Sequence, residues 1–412
     1  MKNKFLIGGL VVLIILLFVG YKFVLQPYKC NNYYKQSLEL RDSSDINNSL
    51  VFINKAIDIN QKPEFYKLRA ELYVSLNKGA EALKDLEIVV KTDTDYSTYL
   101  LRGKAFALES NLGSAYDDFT KVIALNDTIG DAYLNRGIVL GAQGKYEEAL
   151  VDYDMASKCG IDNQQLIMQR GFSKAGMSDF SGAIADFDLA LKGEMATFNN
   201  YKQRGIFKYK IKNYDGALAD IDSALTKGED YEAYYFKALA LSQNKRLDES
   251  LECFDKSIKL NANYSEAYFN KSMVCMQKGN SKLAISLIDK AIALNPTSAK
   301  ILYRKGNILA FSKKYKEAIE LFTKVIELTP NDETAYYNRG VSYGIVGNHK
   351  MAISDYSQAI KINSKYAEAY YQRAISLINT NGFKAGKPDC LLAKKLGFAP
   401  AEELYNMYYK GL

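Results

Sequence analysis

The chain has 412 residues, with 54 Lys and Arg, 47 Asp and Glu and one histidine, which gives a net charge of +7. The five cysteines are odd in number and scattered, and no two have the spacing of a metal site, so neither a disulfide framework nor a metal centre is indicated. His349 falls in a turn position that tyrosine occupies elsewhere in the chain, so it is not a candidate ligand.

The N-terminal segment reads as a membrane anchor. Lys2 and Lys4 precede an uncharged apolar run from Phe5 to Tyr21, which is just long enough to span a bilayer. A cleaved signal peptide is the competing interpretation, but no small-x-small cleavage site follows. We therefore predict an uncleaved anchor over residues 1–27 and a single-pass membrane protein. The flanking basic residues favour a non-cytoplasmic, periplasm-like location for the rest of the chain and leave the orientation open.

A small residue recurs every 33 or 34 residues beyond this segment. The series is Ala70, Gly103, Gly137, Gly171, Gly205, Ala238, Ser272, Gly306, Gly340 and Ala374. A second small residue follows each of them twelve positions later, from Ala82 to Gly386. Bulky residues lie four before and sixteen after the first small one, which is helical spacing. Each unit is therefore predicted to be a pair of helices whose backbones approach closely at the small residues.

The register extends beyond these ten units at both ends. A degenerate first unit places Tyr33, Ser37 and Ser49 in the expected positions, and one last helix runs from Pro400 to Tyr409. We predict an all-α solenoid with about eleven repeats over residues 30–400 and a C-terminal capping helix in residues 401–412. About twenty-three helices and no strand are expected.

The repeat resembles the tetratricopeptide repeat. The resemblance rests on the alternation of aromatic and small residues, on Asn-Arg-Gly as at Asn135 to Gly137, and on Pro296 and Pro330 after the second helix. It implies a right-handed superhelix whose first helices face a concave, partner-binding groove. Asn77, Gly144, Gly279, Gly347 and Asn381 are predicted to end first helices in a left-handed conformation.

One covariation runs through the units. The residue before the first small one is Arg in seven units, and Asp then stands sixteen residues later. The pairs are Arg69 with Asp85, Arg102 with Asp118, Arg136 with Asp152, Arg170 with Asp186, Arg204 with Asp220, Arg339 with Asp355 and Arg373 with Asp389. In three units the base is Lys and the Asp is absent. We predict an Arg–Asp ion pair between the two helices of one unit, with common descent of the units as the alternative.

No catalytic motif is visible in the repeats. The repeat period accounts for the glycines, none of which belongs to a phosphate-binding loop, and no segment remains for a catalytic domain. We predict a non-enzyme without cofactor or metal.

The candidate partner-binding residues lie in the second half of the chain. If the position three before the small residue faces the groove, as the resemblance implies, it forms a ladder of Tyr235, Phe269, Tyr303, Tyr337 and Tyr371. Residues 271–324 add eleven basic residues against three acidic ones, a local net of +8. Asn270, Lys300 and Arg304 keep part of the carboxylate clamp that, in chaperone-binding relatives, holds a C-terminal tail.

These observations indicate a scaffold that binds a protein or peptide, an acidic one if the basic stretch takes part, in the assembly of a membrane or envelope complex. Two alternatives remain open: a receptor for acidic C-terminal tails, and a regulatory or nucleic-acid-binding repeat that uses the basic stretch. The acidic residues around that stretch and the predicted anchor argue against nucleic acid.

Overall fold

The computed structural model describes residues 21–192 and 196–409. These residues form 23 α-helices after one π-helical turn, Tyr21–Leu25, and the described residues contain no strand. The predicted helix count and all-α class are therefore confirmed for this part of the chain. The chain divides into two compact units, Met1–Ile211 and Lys212–Leu412. The handedness of a superhelix stays a prediction.

The first unit contains eleven helices that pack as consecutive antiparallel pairs, with α1 against α2 and α3 against α4. Their bounds are α1 Gln26–Asp42, α2 Ile46–Ile59, α3 Pro63–Ser75, α4 Gly79–Val89, α5 Tyr96–Leu108, α6 Leu112–Leu125, α7 Gly130–Ala142, α8 Tyr146–Lys158, α9 Gln164–Gly176, α10 Phe180–Ala190 and α11 Phe198–Lys210.

The second unit contains twelve helices, paired in the same way from α13 with α14 onward. Their bounds are α12 Tyr214–Leu225, α13 Tyr231–Gln243, α14 Leu247–Leu260, α15 Ser265–Gln277, α16 Ser281–Leu294, α17 Ala299–Phe311, α18 Tyr315–Leu328, α19 Glu333–Ile345, α20 His349–Ile362, α21 Ala367–Asn381, α22 Phe383–Lys395 and α23 Ala399–Tyr408.

The small residues of a repeat have two different contacts. The second one lies against the carbonyl of the first: the Ser250 hydroxyl donates to the Ala238 carbonyl oxygen at 2.7 Å, which confirms the predicted close backbone approach. The first one instead makes room for the bulky residue sixteen positions later. A Cβ built on Gly137 would lie 2.6 Å from the Tyr153 ring. Tyr153 is buried at 1% exposure, so the glycine allows an aromatic ring into the core between the helices.

The turn between the helices of a repeat contains one residue with positive φ. Asn77, Gly144, Gly279 and Gly347 have this conformation, as predicted. Asn381 does not: it ends α21, and Gly382 has the positive φ of 83° instead. In other repeats the position holds a residue with a Cβ, and these residues are Ser44, Ser110, Ser178, Lys212, Lys245 and Lys313. A side chain in the left-handed region costs free energy that glycine avoids.

We therefore expect Lys313→Gly to stabilise the second unit by about 0.5–1 kcal/mol, because φ at Lys313 is 61°. The reciprocal control is Gly347→Lys, where φ is 83° and no atom lies within 4 Å of a built Cβ, so backbone strain is the only penalty. Urea unfolding measures both variants. Equal stability of Lys313→Gly and the parent chain would contradict the claim that the left-handed backbone at Lys313 costs free energy.

The predicted Arg–Asp pairs form within the repeat. In the Arg136–Asp152 pair, Nε and Nη2 of Arg136 donate to the two carboxylate oxygens of Asp152 at 2.8 Å each. The carboxylate is 4% exposed and the arginine side chain 18%. The same hydrogen-bonded geometry occurs in the pairs of Arg69, Arg102, Arg170, Arg339 and Arg373. The prediction is confirmed for these six pairs. For the seventh pair, Arg204 belongs to the first unit and Asp220 to the second, so that pair stays a prediction.

In most repeats the base also bonds to the preceding repeat, which the covariation alone did not indicate. Nη1 of Arg339 donates to the Thr323 hydroxyl at 3.0 Å. In the lysine repeats this second contact becomes the ion pair. Lys237 pairs with Asp222 and Lys305 with Asp289, both at 2.6 Å, and Lys271 pairs with Asp255. The lysine therefore binds an acid of the neighbouring repeat when its own repeat lacks one.

The predicted membrane anchor needs correction. Most of it, residues 1–20, lies outside the described residues. None of the helices described in residues 21–192 and 196–409 has the length and apolar character needed to cross a bilayer. The helix after the π-helical turn, α1, carries Lys29, Lys35 and Arg41 and is too polar to span a membrane. The prediction of a single-pass membrane protein is therefore wrong for the chain that the structure describes.

The end of the second unit is covered by α23. Tyr409, directly after this helix, is 2% exposed, and its hydroxyl donates to the Phe383 carbonyl oxygen at 2.7 Å. Tyr408 occupies the register position that holds a small residue in the repeats. Its ring stacks on Phe383 at 5.1 Å between centroids and does not enter the core.

Candidate functional site

The candidate residues lie on the first helices of successive repeats in the second unit, from α13 to α21. Tyr235, Tyr303, Tyr337 and Tyr371 occupy the same register position on their helices and are half-buried. Their rings therefore contribute to the stacking of the repeats as well as to the surface.

The tyrosine rings pack against residues of the following repeat. Tyr235 contacts Tyr264, and Tyr337 contacts Tyr366, each with 5.0 Å between ring centroids. Tyr371 contacts Phe398 at 5.2 Å. Burial raises the pKa of Tyr337 above its usual value, which agrees with a ring that is largely shielded from water.

Phe269 and Asn270 both make contacts within the fold. Phe269 is 5% exposed and belongs to the core around α15 to α17, so a partner could contact it only by displacing other side chains. The Asn270 amide donates to the Tyr235 hydroxyl at 3.0 Å and to the Glu266 carbonyl oxygen at 2.9 Å. Both of its N–H groups are therefore used within the fold.

Lys300 and Arg304 are exposed on α17, one helical turn apart. The Lys300 ammonium lies 5.1 Å from the centroid of the Phe269 ring. Within the described residues Arg304 has no acidic partner, and α17 itself contains no Asp or Glu. This helix therefore presents uncompensated positive charge.

Much of the remaining basic stretch is already engaged. Lys271, Lys278, Lys305 and Lys314 form ion pairs with acidic side chains, and the Lys290 ammonium lies 5.8 Å from the centroid of the Tyr268 ring. Four of the eleven basic residues are thus ion-paired, Lys271 and Lys278 with acids outside the stretch, so the unpaired positive charge lies at fewer positions than the sequence count indicated.

A surface depression of about 230 Å³ lies beside Arg304, and its other lining residues were not predicted. They are Met273, Met276, Asn307, Ile308 and Phe311. Phe311 is 79% exposed, which is unusual for a ring of this size. It stands five residues after Gly306. An aromatic occurs at this position in no other of the ten repeats, so a comparison of the repeats could have found it.

Family models match five stretches of the second unit, some of which overlap. The model described as TPR repeat matches residues 306–344, and models described as tetratricopeptide repeat match residues 231–264, 265–298, 287–320 and 334–366. The chain contains tetratricopeptide repeats. No curated protein matches it.

Solved structures with tetratricopeptide repeats are similar in fold. The C-terminal part of a TPR repeat-containing protein from Cytophaga hutchinsonii is 18% identical, covering 57% of this chain and 98% of that one, with a TM-score of 0.50. The Cut9–Hcn1 hetero-tetramer of the APC/C is 12% identical over 92% and 96% of the chains, with a TM-score of 0.47. YrrB, titled a TPR protein with an unusual peptide-binding site, is 23% identical over 44% and 95%, with a TM-score of 0.39. At these identities the likeness concerns the fold alone.

Tetratricopeptide repeats are generally scaffolds that mediate protein–protein interaction rather than enzymes. In the described part of the chain, no three His, Cys, Asp or Glu side chains are grouped so that they could hold a metal ion. The arrangement on α13 to α21 offers aromatic area, amides and two exposed cations, which are groups that bind a polypeptide surface.

Proposed function

We propose that this chain is a non-enzymatic scaffold that binds an acidic protein or peptide across the first-helix face of α13 to α21. The observation that carries the proposal is α17, which exposes Lys300 and Arg304 without any acidic residue of its own. Tyr303 lies beside these cations on α17, and aromatic area is also supplied at the same register position by Tyr235 on α13, Tyr337 on α19 and Tyr371 on α21.

The two kinds of residue have different roles in this proposal. Exposed cations attract an acidic partner over several ångströms and accelerate association, whereas aromatic contact area slows dissociation. The half-buried tyrosines are already ordered by their own repeats, so little conformational entropy is lost when a partner packs against them.

The two alternative functions have less support. A clamp for C-terminal tails would need a lysine and an asparagine where Tyr235 and Leu239 stand, and the Asn270 amide is engaged within the fold. A nucleic-acid surface would need a continuous row of free cations, whereas Lys271, Lys278 and Lys305 are paired with Asp side chains.

The test is a display selection of random dodecapeptides on the full chain, followed by binding kinetics of the enriched peptides. We expect Lys300→Glu with Arg304→Glu to slow association about tenfold or more at low salt and less at high salt, because screening weakens steering. The charge-matched control is Lys282→Glu with Lys324→Glu, two exposed lysines on the second helices α16 and α18.

The control should leave association within about twofold of the parent chain, since those side chains lie away from the first-helix face. Equal slowing by both double variants would mean that net charge alone attracts the peptides. Failure to enrich any peptide would contradict the proposed function.

A further inference from the structure

The first helices of the second unit are linked by a repeated side-chain hydrogen bond. A tyrosine hydroxyl on one first helix pairs with the amide of an Asn or Gln 35 residues later, on the next first helix. Asn270 donates to Tyr235 at 3.0 Å and Asn338 to Tyr303 at 2.7 Å. Gln372 stands at the equivalent position 35 residues after Tyr337. We call this pair the tyrosine–amide link.

The link is missing between α15 and α17. The equivalent residues there are Phe269, which has no hydroxyl to accept the hydrogen bond, and Arg304, which has a guanidinium in place of the amide and finds no acidic partner among the described residues. Where the link is missing, the side chains of α15 and α17 leave a gap at the surface between the two helices, which we call the opening.

The depression lies in this opening. Met273 and Met276 line it from α15, and Ile308 and Phe311 line it from α17, with Arg304 at its edge. Methionine side chains adapt to the shape of an apolar guest, and the exposed Phe311 ring offers a flat contact surface. An apolar side chain that entered here would cover the most exposed large hydrophobic side chain of the described chain.

We propose that the opening between α15 and α17 is the anchor subsite for the partner. It takes one apolar side chain (Leu, Met or Phe) from an internal stretch of an acidic peptide, and Arg304 binds the carboxylate of a neighbouring Asp or Glu. This inference rests on the proposed function. A guanidinium without a partner matches a carboxylate in charge and in its two-pronged geometry.

An internal segment fits better than a chain end. Holding a terminal carboxylate needs several donors at one point, and the Asn270 amide that would supply one of them is bound to Tyr235 and to the Glu266 carbonyl. Lys300 and Arg304 are instead spread along one helical turn, which suits acidic side chains distributed along a peptide.

The probes are the dodecapeptides enriched by display on the full chain, resynthesised with amidated C-termini. We expect Phe311→Ser to weaken their binding about tenfold or more, since removing a central aromatic anchor has effects of this size. The control is Ile345→Ser, at the same register position in the next repeat and 55% exposed, for which we expect about twofold or less. Replacing the apolar residue of the peptide by Ser should cause the same loss as Phe311→Ser, and the two changes together little more.

A second variant tests the opening itself. Phe269→Tyr with Arg304→Asn introduces the tyrosine–amide link that the other pairs of first helices have. We expect it to retain the thermal stability of the parent and to lose peptide binding at least as fully as Arg304→Asn alone.

The outcomes separate the two proposals. If Phe311→Ser binds like the parent while Lys300→Glu with Arg304→Glu is impaired, the anchor subsite is overturned and the proposed function stands. If neither variant changes binding, or if no peptide is enriched, both fail. If only peptides with a free C-terminal carboxylate bind, the internal-segment assignment is overturned.

Discussion

Asp152→Ala should lower the free energy of unfolding by about 3–5 kcal/mol. The Asp152 side chain is 4% exposed and accepts two hydrogen bonds from Arg136, whose guanidinium is itself mostly shielded from water. Removing the carboxylate leaves that guanidinium in a poorly hydrated position with only the Thr120 hydroxyl as a hydrogen-bonding neighbour, at 3.3 Å. The penalty is mainly the desolvation of an uncompensated charge.

The chain contains its own control for this prediction. Asp222 pairs with Lys237 at 2.6 Å but is 54% exposed, so Asp222→Ala should cost less than about 1 kcal/mol. Urea unfolding gives the free energies, and hydrogen exchange of α7 and α8 locates the effect of Asp152→Ala. Similar losses for the two variants would show that burial does not set the strength of these pairs.

Gly137→Ala should cost about 1–3 kcal/mol, although alanine is the better helix former by about 1 kcal/mol. A Cβ at this position would lie 2.6 Å from the Tyr153 ring, which is closer than two carbon atoms can pack, so the ring or one of the helices must move. The added methyl group should therefore lower the free energy of unfolding even though it raises the helix propensity at this position.

The first repeat of the regular series avoids this clash, because a side chain without a ring stands opposite its alanine. There Ala70 stands opposite Leu86, and both are 0% exposed. Tyr153→Leu alone should be destabilising through the cavity it leaves, yet combined with Gly137→Ala it should cost less than the sum of the single changes. A double-mutant cycle measures this coupling. Additive losses would contradict a direct contact between the two positions.

The repeat architecture was accessible from the sequence because each repeat packs mainly on itself and its neighbours. A period of 33 or 34 residues with helical spacing inside it predicted the all-α class, the number of helices and four of the left-handed turn residues, Asn77, Gly144, Gly279 and Gly347. The Arg–Asp pairs were predictable for the same reason, since both partners lie in one repeat and vary together. Asn381 was misplaced by one residue because a neighbouring glycine takes the left-handed conformation at lower cost.

The candidate site was predicted less completely. The register identified the face on which Lys300 and Arg304 are exposed, but a register cannot tell a surface ring from a buried one. Phe269 shares its position with Tyr235 and Tyr303 and is nevertheless a core residue. Phe311 was missed because only the aromatic ladder three residues before the small position was considered.

The sequence by itself determined the helices, their pairing within a repeat and the residues at each register position, because these depend on contacts at short and regular separations along the chain. Tertiary structure alone decided which cations are free and where a gap lies between two neighbouring first helices. Those properties depend on how a side chain meets the neighbouring repeat: Lys305 is neutralised by Asp289 of the repeat before it, while Arg304, one residue earlier, has no acidic partner among the described residues.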